Sequence, residues 1–135
     1  MIEITSNPLE PDIIINQVKN DSSGCVVTYV GLIRDNSNNK PVLSVEYQDP
    51  TGNAVNTLKD IAKEVNLKWQ IENIGIVHRT GILNVGDINL VVAIASGHRS
   101  EGFDACQYVI NEFKNRLPTL KTETYLDGSK EVYSP

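Results

Sequence analysis

Between Gly24 and Arg34 the chain reads GCVVTYVGLIR, a run so rich in β-branched residues that it fits a strand and little else. A strand must pair and must cover its apolar face, so the rest of the sequence has to supply neighbours and a lid. Further strand patterns lie at residues 2–5, at Val42 to Tyr47, at about Gln70 to Val77, at Asp87 to Ser96 and at Thr119 to Tyr125. Helical spacing recurs three times. Ile13, Ile14, Gln17 and Val18 follow Pro11, which suits a first turn. Val55, Leu58, Ile61, Ala62 and Val65 form a stripe after Asp49-Pro50-Thr51-Gly52, and Phe103, Cys106, Val109, Ile110, Phe113 and Leu117 form another that Pro118 stops. Asp35 to Pro41 and Gly81 to Gly86 read as turns, Gly31 as a bulge, and the residues after Asp127-Gly128 as a short tail. The predicted order is β-α-β-β-α-β-β-α-β. Turn-joined neighbours favour antiparallel pairing with helices gathered on one face, an α+β class, and 135 residues suit one domain over 1–135.

The formal charge of −5, from 12 basic and 17 acidic residues, argues against a nucleic-acid binder. No apolar run approaches the roughly 20 residues of a membrane span, and no leader pattern opens the chain, so a cytoplasmic protein is expected. Cys25 and Cys106 belong to no CxxC pair and no zinc-spaced cluster. They read as buried, reduced thiols, and neither a metal nor a cofactor is expected.

Against that acidic background, His98, Arg99, Lys114, Arg116 and Lys121 crowd into one stretch. Gly97-His98-Arg99-Ser100 falls where a strand ends and a helix begins. Free backbone N–H groups there favour an anion, and an arginine can grip a phosphate with two parallel bonds. Solvent-facing strand ends would explain the same pair. Lys114 flanks the apolar stripe, where a merely snorkelling lysine would also sit, and the reversal at Pro118 can turn Lys121 towards it. His78-Arg79 is a second anion candidate, though a structural pair facing the turn fits it better. Arg34 closes its strand as an exposed arginine commonly does. The residues alone reach an α+β domain with an anion pocket.

The segments GCVVTYVGLIRD, VHRTGILNVGD, GHRSEGFDACQYVINEFK and LPTLKTETYLDG carry a more specific signal. In order and spacing, over residues 24–128, the chain resembles the large, catalytic subunit of molybdopterin synthase. That resemblance implies an α/β hammerhead with an additional antiparallel sheet and helices packed on the sheet. It implies a sulfurtransferase that converts cyclic pyranopterin monophosphate to molybdopterin by installing a dithiolene. The sulfur would come from the C-terminal Gly-Gly thiocarboxylate of a small ubiquitin-like partner. Two large subunits would form a homodimer, with a small subunit at each end of a heterotetramer.

By the same resemblance Leu32, Ile33, Arg34, His98, Arg99, Lys114, Lys121, Thr122 and Glu123 contact the phosphorylated pterin, and Lys114 and Lys121 are catalytic. This promotes Arg34 above its bland reading. Leu120 stands where the family has an aromatic, Ser129 to Val132 lack a common Trp, and no Met occurs near Asn53-Ala54. Family pockets are shared between subunits, so Arg34 of one copy is expected near the Lys114 pocket of the other. The strands at 24–34 and 42–47 have edges that need covering. Two alternatives stay open: a non-catalytic paralogue serving as a phosphate- or pterin-binding scaffold, and a phosphometabolite-binding regulator.

Overall fold

A computed structural model describes residues 1–135. Strands β1 (Ile2–Thr5), β2 (Cys25–Leu32), β5 (Ile74–Arg79) and β7 (Ile88–Ser96) form one sheet in the order β1-β5-β7-β2. β7 runs antiparallel to both neighbours, but β1 lies parallel to β5, so the uniformly antiparallel pairing expected from the sequence does not hold there. The pairing shifts register between Gly31 and Leu32, the bulge anticipated at this glycine.

Three helices cover this sheet: α1 (Pro11–Val18), α2 (Ala54–Trp69) and α3 (Arg99–Arg116). They do not share one face. Leu90, Val92 and Ile94 of β7 pack with Leu58, Ile61 and Val65 of α2 and with Ala105 and Val109 of α3. Alternate residues Val91, Ala93 and Ala95 pack with Ile14 and Val18 of α1 on the opposite side. A strand covered on both faces needs apolar residues at every position, which is why Ile88–Ser96 reads as a near-continuous apolar run.

The second sheet is antiparallel and five-stranded. β4 (Lys40–Gln48) pairs with β8 (Leu120–Tyr125) along one edge, and with β3 (Asn36–Ser37) and β6 (Gly81–Asn84) along the other; β9 (Lys130–Tyr133) extends it beyond β8. Ile33, Val42, Val45, Tyr47, Leu83 and Tyr125 make its core.

Three of these strands fall where the sequence suggested turns or a tail. β3 and β4 join through Asn38 and Asn39, both at positive φ (53° and 61°), the backbone a two-residue hairpin requires. β6 begins at Gly81, φ 92°, and ends before Gly86 at φ 88°. β4 is paired on both sides, so its edge needs no external cover; β2 keeps a free edge. Helix α2 runs on to Trp69 and closes on Gln70 in the left-handed region, and β5 therefore starts at Ile74 rather than near residue 70. Phe103 is 61 % exposed, so α3 turns Gly102, Ala105, Cys106 and Val109 inward instead. Gly102 permits this approach: a methyl group there would lie 2.7 Å from the Ser96 hydroxyl. Leu117 adopts extended backbone ahead of Pro118, ending α3 as predicted. Cys106 is buried and free, and Cys25 is free but only half-buried.

Candidate functional site

Where the two sheets meet, a cleft of about 740 Å³ opens beside the last turn of α3. Each wall follows from local structure. The bulge after Gly31 turns the end of β2 so that Leu32, Ile33 and Arg34 line the opening. The last turns of α3 contribute Phe113 and Lys114, and Leu117 follows at the cap. After the reversal at Pro118, strand alternation sends Lys121 and Glu123 into the cleft, opposite Tyr47 and Val45 of β4. Arg34, Lys114 and Lys121 thus arrive from three different elements.

Against these cations stands one buried carboxylate. Glu123 Oε1 accepts hydrogen bonds from the hydroxyls of Ser37 (2.9 Å), Tyr125 (2.8 Å) and Tyr133 (2.9 Å), while Oε2 lies 3.8 Å from Lys121 Nζ. Burial opposes the charge on Glu123, but the three hydroxyls together with the Lys121 ammonium outweigh it and hold the pKa below the ordinary value. Burial, with the adjoining carboxylate, pushes the Tyr125 phenol up to about 12, so that hydroxyl remains a donor.

Behind the cleft wall His78 is wholly buried, its ring edge-on to Tyr47 (4.9 Å) and Phe113 (5.0 Å). Its Nδ1 lies 2.7 Å from the Asn89 carbonyl, and burial lowers its pKa, which suits a neutral ring donating to that carbonyl. Arg79 points elsewhere, to the Ser6 carbonyl (3.2 Å) and Asp87 (3.6 Å). His78-Arg79 is therefore the structural pair, not an anion site.

The structure brings together Leu32, Ile33, Arg34, Lys114, Lys121 and Glu123, and leaves three of the expected contacts out. Thr122 faces the other side of its sheet, as strand alternation demands for a residue between Lys121 and Glu123. His98 and Arg99 lie where β7 passes into α3, as the sequence suggested, but at the far end of that helix from Lys114. Arg99 and Lys114 stand fifteen positions apart on the helix, about 22 Å at 1.5 Å per residue. His98 borders a different hollow of about 370 Å³, with Ser22, Glu72 and Glu101. Arg34 and Lys114, by contrast, line one cleft of a single chain, whereas the sequence reading drew them from two copies.

Sequence reasoning missed Tyr29, Tyr47, Asn89 and Tyr133, which also line the cleft. Only Tyr47 carried a signal, its place in the alternation of β4. The others converge from positions up to 104 residues apart, between Tyr29 and Tyr133, with no local pattern to announce it.

The sequence model of the family described as MoaE protein matches residues 4–116. The molybdopterin synthase catalytic subunit of Bacillus subtilis (strain 168) is 33 % identical over 130 residues, spanning 96 % of this chain and 83 % of that protein. The one from Nostoc sp. (strain PCC 7120) is 39 % identical over 127 residues, spanning 93 % and 77 %. Among solved structures, molybdopterin synthase from Staphylococcus aureus superposes with a TM-score of 0.93 at 28 % identity, covering 99 % of this chain and 97 % of that one. A chain from the complex of subunits 1 and 2 of the molybdopterin-converting factor of Helicobacter pylori shares the fold, with a TM-score of 0.76 at 12 % identity over 95 % of this chain and 86 % of that one.

Proposed function

The chain belongs to the MoaE protein family, and from that premise we propose how its cleft serves the family's sulfur transfer. It works as a molybdopterin synthase catalytic subunit, a sulfurtransferase of molybdenum cofactor biosynthesis. One observation carries the site assignment: Arg34, Lys114 and Lys121 converge on a cleft with a single buried carboxylate. Such an excess of cations suits a phosphorylated pterin, whose phosphate Arg34 can take in a bidentate grip. Leu32 and Ile33 form the wall beside it. Lys114 and Lys121 sit where the partner's thiocarboxylate meets the substrate carbon. There they stabilise developing oxyanions and move protons as sulfur is transferred. Glu123, saturated by hydroxyls on one oxygen, acts as the counter-ion that places Lys121.

His98 and Arg99 cannot reach this cleft in their own chain, so they serve it only if a second copy delivers them. A two-fold homodimer does so twice at once. The free edge of β2, which exposes Val30 and Leu32, is a surface such an assembly would cover. The small sulfur-carrier subunit then approaches from the outer ends, threading its Gly-Gly tail towards Lys114 and Lys121. No helix is long and apolar enough to cross a membrane, and we assign the reaction to the cytoplasm.

The test is direct: the chain, a thiocarboxylated small subunit and cyclic pyranopterin monophosphate are mixed and dithiolene product is assayed. Product formation supports the enzyme. Saturable precursor binding without product would identify the scaffold instead.

A further inference from the structure

Strand β9 enters the cleft through one side chain, Tyr133. We propose that Tyr133 is a positioning residue for Lys121, clamping the ammonium between its ring and the Glu123 carboxylate. The inference rests on the sulfur-transfer reading for its purpose, but its geometry stands independently.

Lys121 Nζ lies 5.5 Å from the centroid of the Tyr133 ring, within cation–π range, and 3.8 Å from Glu123 Oε2. The same tyrosine donates its hydroxyl to Glu123 Oε1 at 2.9 Å. One side chain thus touches both members of the ion pair. Backbone pairing fixes it there, because Tyr133 lies directly across from Lys121 in the β8–β9 register.

The hydroxyl is held from behind. Asn38 Nδ2 donates to it at 2.6 Å and to the Tyr125 hydroxyl at 3.1 Å. With their lone pairs engaged by Asn38, both phenols turn their protons towards Glu123, and each bond polarises the next. The chain Asn38, Tyr133, Glu123, Lys121 spans the β3–β4 hairpin, β9 and β8, so the ammonium is fixed by three separate pieces of backbone. A lysine has four rotatable side-chain bonds and is costly to immobilise, so a reaction that needs Nζ at one point gains from such a clamp.

The test uses the full chain with Tyr133→Phe, which keeps the ring, and Tyr133→Leu, which removes both contacts. Val132→Thr changes a side chain on the exposed outer face of β9 while keeping a strand-forming residue, and leaves Tyr133 in place. Brief labelling with acetic anhydride, read by peptide mass spectrometry, gives the reactivity of Lys121 relative to Lys114 in the same cleft. Loss of one cation–π contact or one hydrogen bond corresponds to about a two- to fivefold change, so the ratio should rise about twofold in Tyr133→Phe and about fivefold in Tyr133→Leu. Val132→Thr should leave it unchanged. In the dithiolene assay Tyr133→Leu should lower kcat about tenfold with KM within about twofold, and Tyr133→Phe should recover part of that loss. An unaltered labelling ratio in Tyr133→Leu overturns the proposal, as does an equal rise in Val132→Thr or a kcat that does not fall. If the unmodified chain makes no dithiolene, the sulfur-transfer reading fails, and the labelling ratio decides the clamp without it.

Discussion

The distance between Arg99 and Lys114 makes subunit complementation a decisive experiment. Arg99→Ala removes charge-assisted bonds to the substrate phosphate worth about 1.5–3 kcal/mol, which weakens binding roughly 10- to 150-fold. Lys114→Ala removes the helix lysine from the cleft. Each variant alone should be nearly inactive. Mixed in equal amounts and allowed to exchange, they assort so that about half of the two-fold dimers are hybrids. One cleft of each hybrid has both native residues, and the other has neither. Dithiolene formation should therefore return to about a quarter of the unmodified rate, from half the dimers and one cleft of two in each. The control pairs Arg34→Ala with Lys114→Ala. These residues line the same cleft of the same chain, so every hybrid cleft lacks one of them and activity stays at baseline. Native mass spectrometry of differently tagged chains would establish the exchange. Silence from the Arg99 pair despite proven exchange, or recovery in the Arg34 pair, would refute the geometry on which the shared site is built.

Lys114 is exposed, so Lys114→Ala should change unfolding free energy by no more than about 0.5 kcal/mol while turnover falls at least about 100-fold; a matching loss of stability would make it a structural residue. Arg116 ties α3 to α2 through two bonds to Glu64 (2.7 and 2.8 Å), and with the Tyr108 hydroxyl it lowers the Glu64 pKa to about 2. Because the folded pKa is depressed, that contribution is present above the ordinary carboxylate value and is lost as pH falls towards 2. Partial exposure reduces the clamp to about 1 kcal/mol, so Arg116→Ala should unfold more easily in urea by that amount at pH 7, with the gap to the unmodified chain closing between about pH 4.5 and 2. A gap that stays constant across that range would exclude the Glu64 pair as its source.

What the sequence disclosed depended on how local each cause was. The stripe Leu58, Ile61 and Val65, the stop at Pro118 and the bulge at Gly31 all depend on residues within a few positions, and each lies where its pattern put it. The α+β class followed from them. The parallel pairing of β1 with β5 did not, because Ile2 and Ile76 meet across 74 positions and nothing in IEIT states a direction. Phe103 misled for a related reason. An aromatic at helical spacing reads as core, but the helix approaches the sheet through Gly102 instead, which rotates the ring into solvent. Within the site, Lys114 and Lys121 were legible because Pro118 folds one back towards the other. The grouping of His98-Arg99 with them was not, since closeness in sequence along a helix becomes distance in space. Thr122 was lost by carrying over three consecutive residues onto a strand, where only alternate ones can face one cleft.

Strand β7 is hydrogen-bonded on both sides, to β2 and to β5, and β1 is held only by β5. During synthesis this imposes a long wait. When β1, α1 and β2 have left the ribosome, none has a partner strand, and the faces that Ile14 and Val18 will cover do not yet exist. Emergence of β5 lets β1 dock, but β2 stays unpaired until β7 follows, some 60 residues after it began. Contacts of such sequence separation place folding on the slow side for a chain of this size, in the millisecond-to-second range of sheet-dominated domains rather than that of helical bundles. Throughout that interval the apolar run of β2 presents an open edge to any neighbouring nascent chain, which makes it the segment on which a chaperone would act.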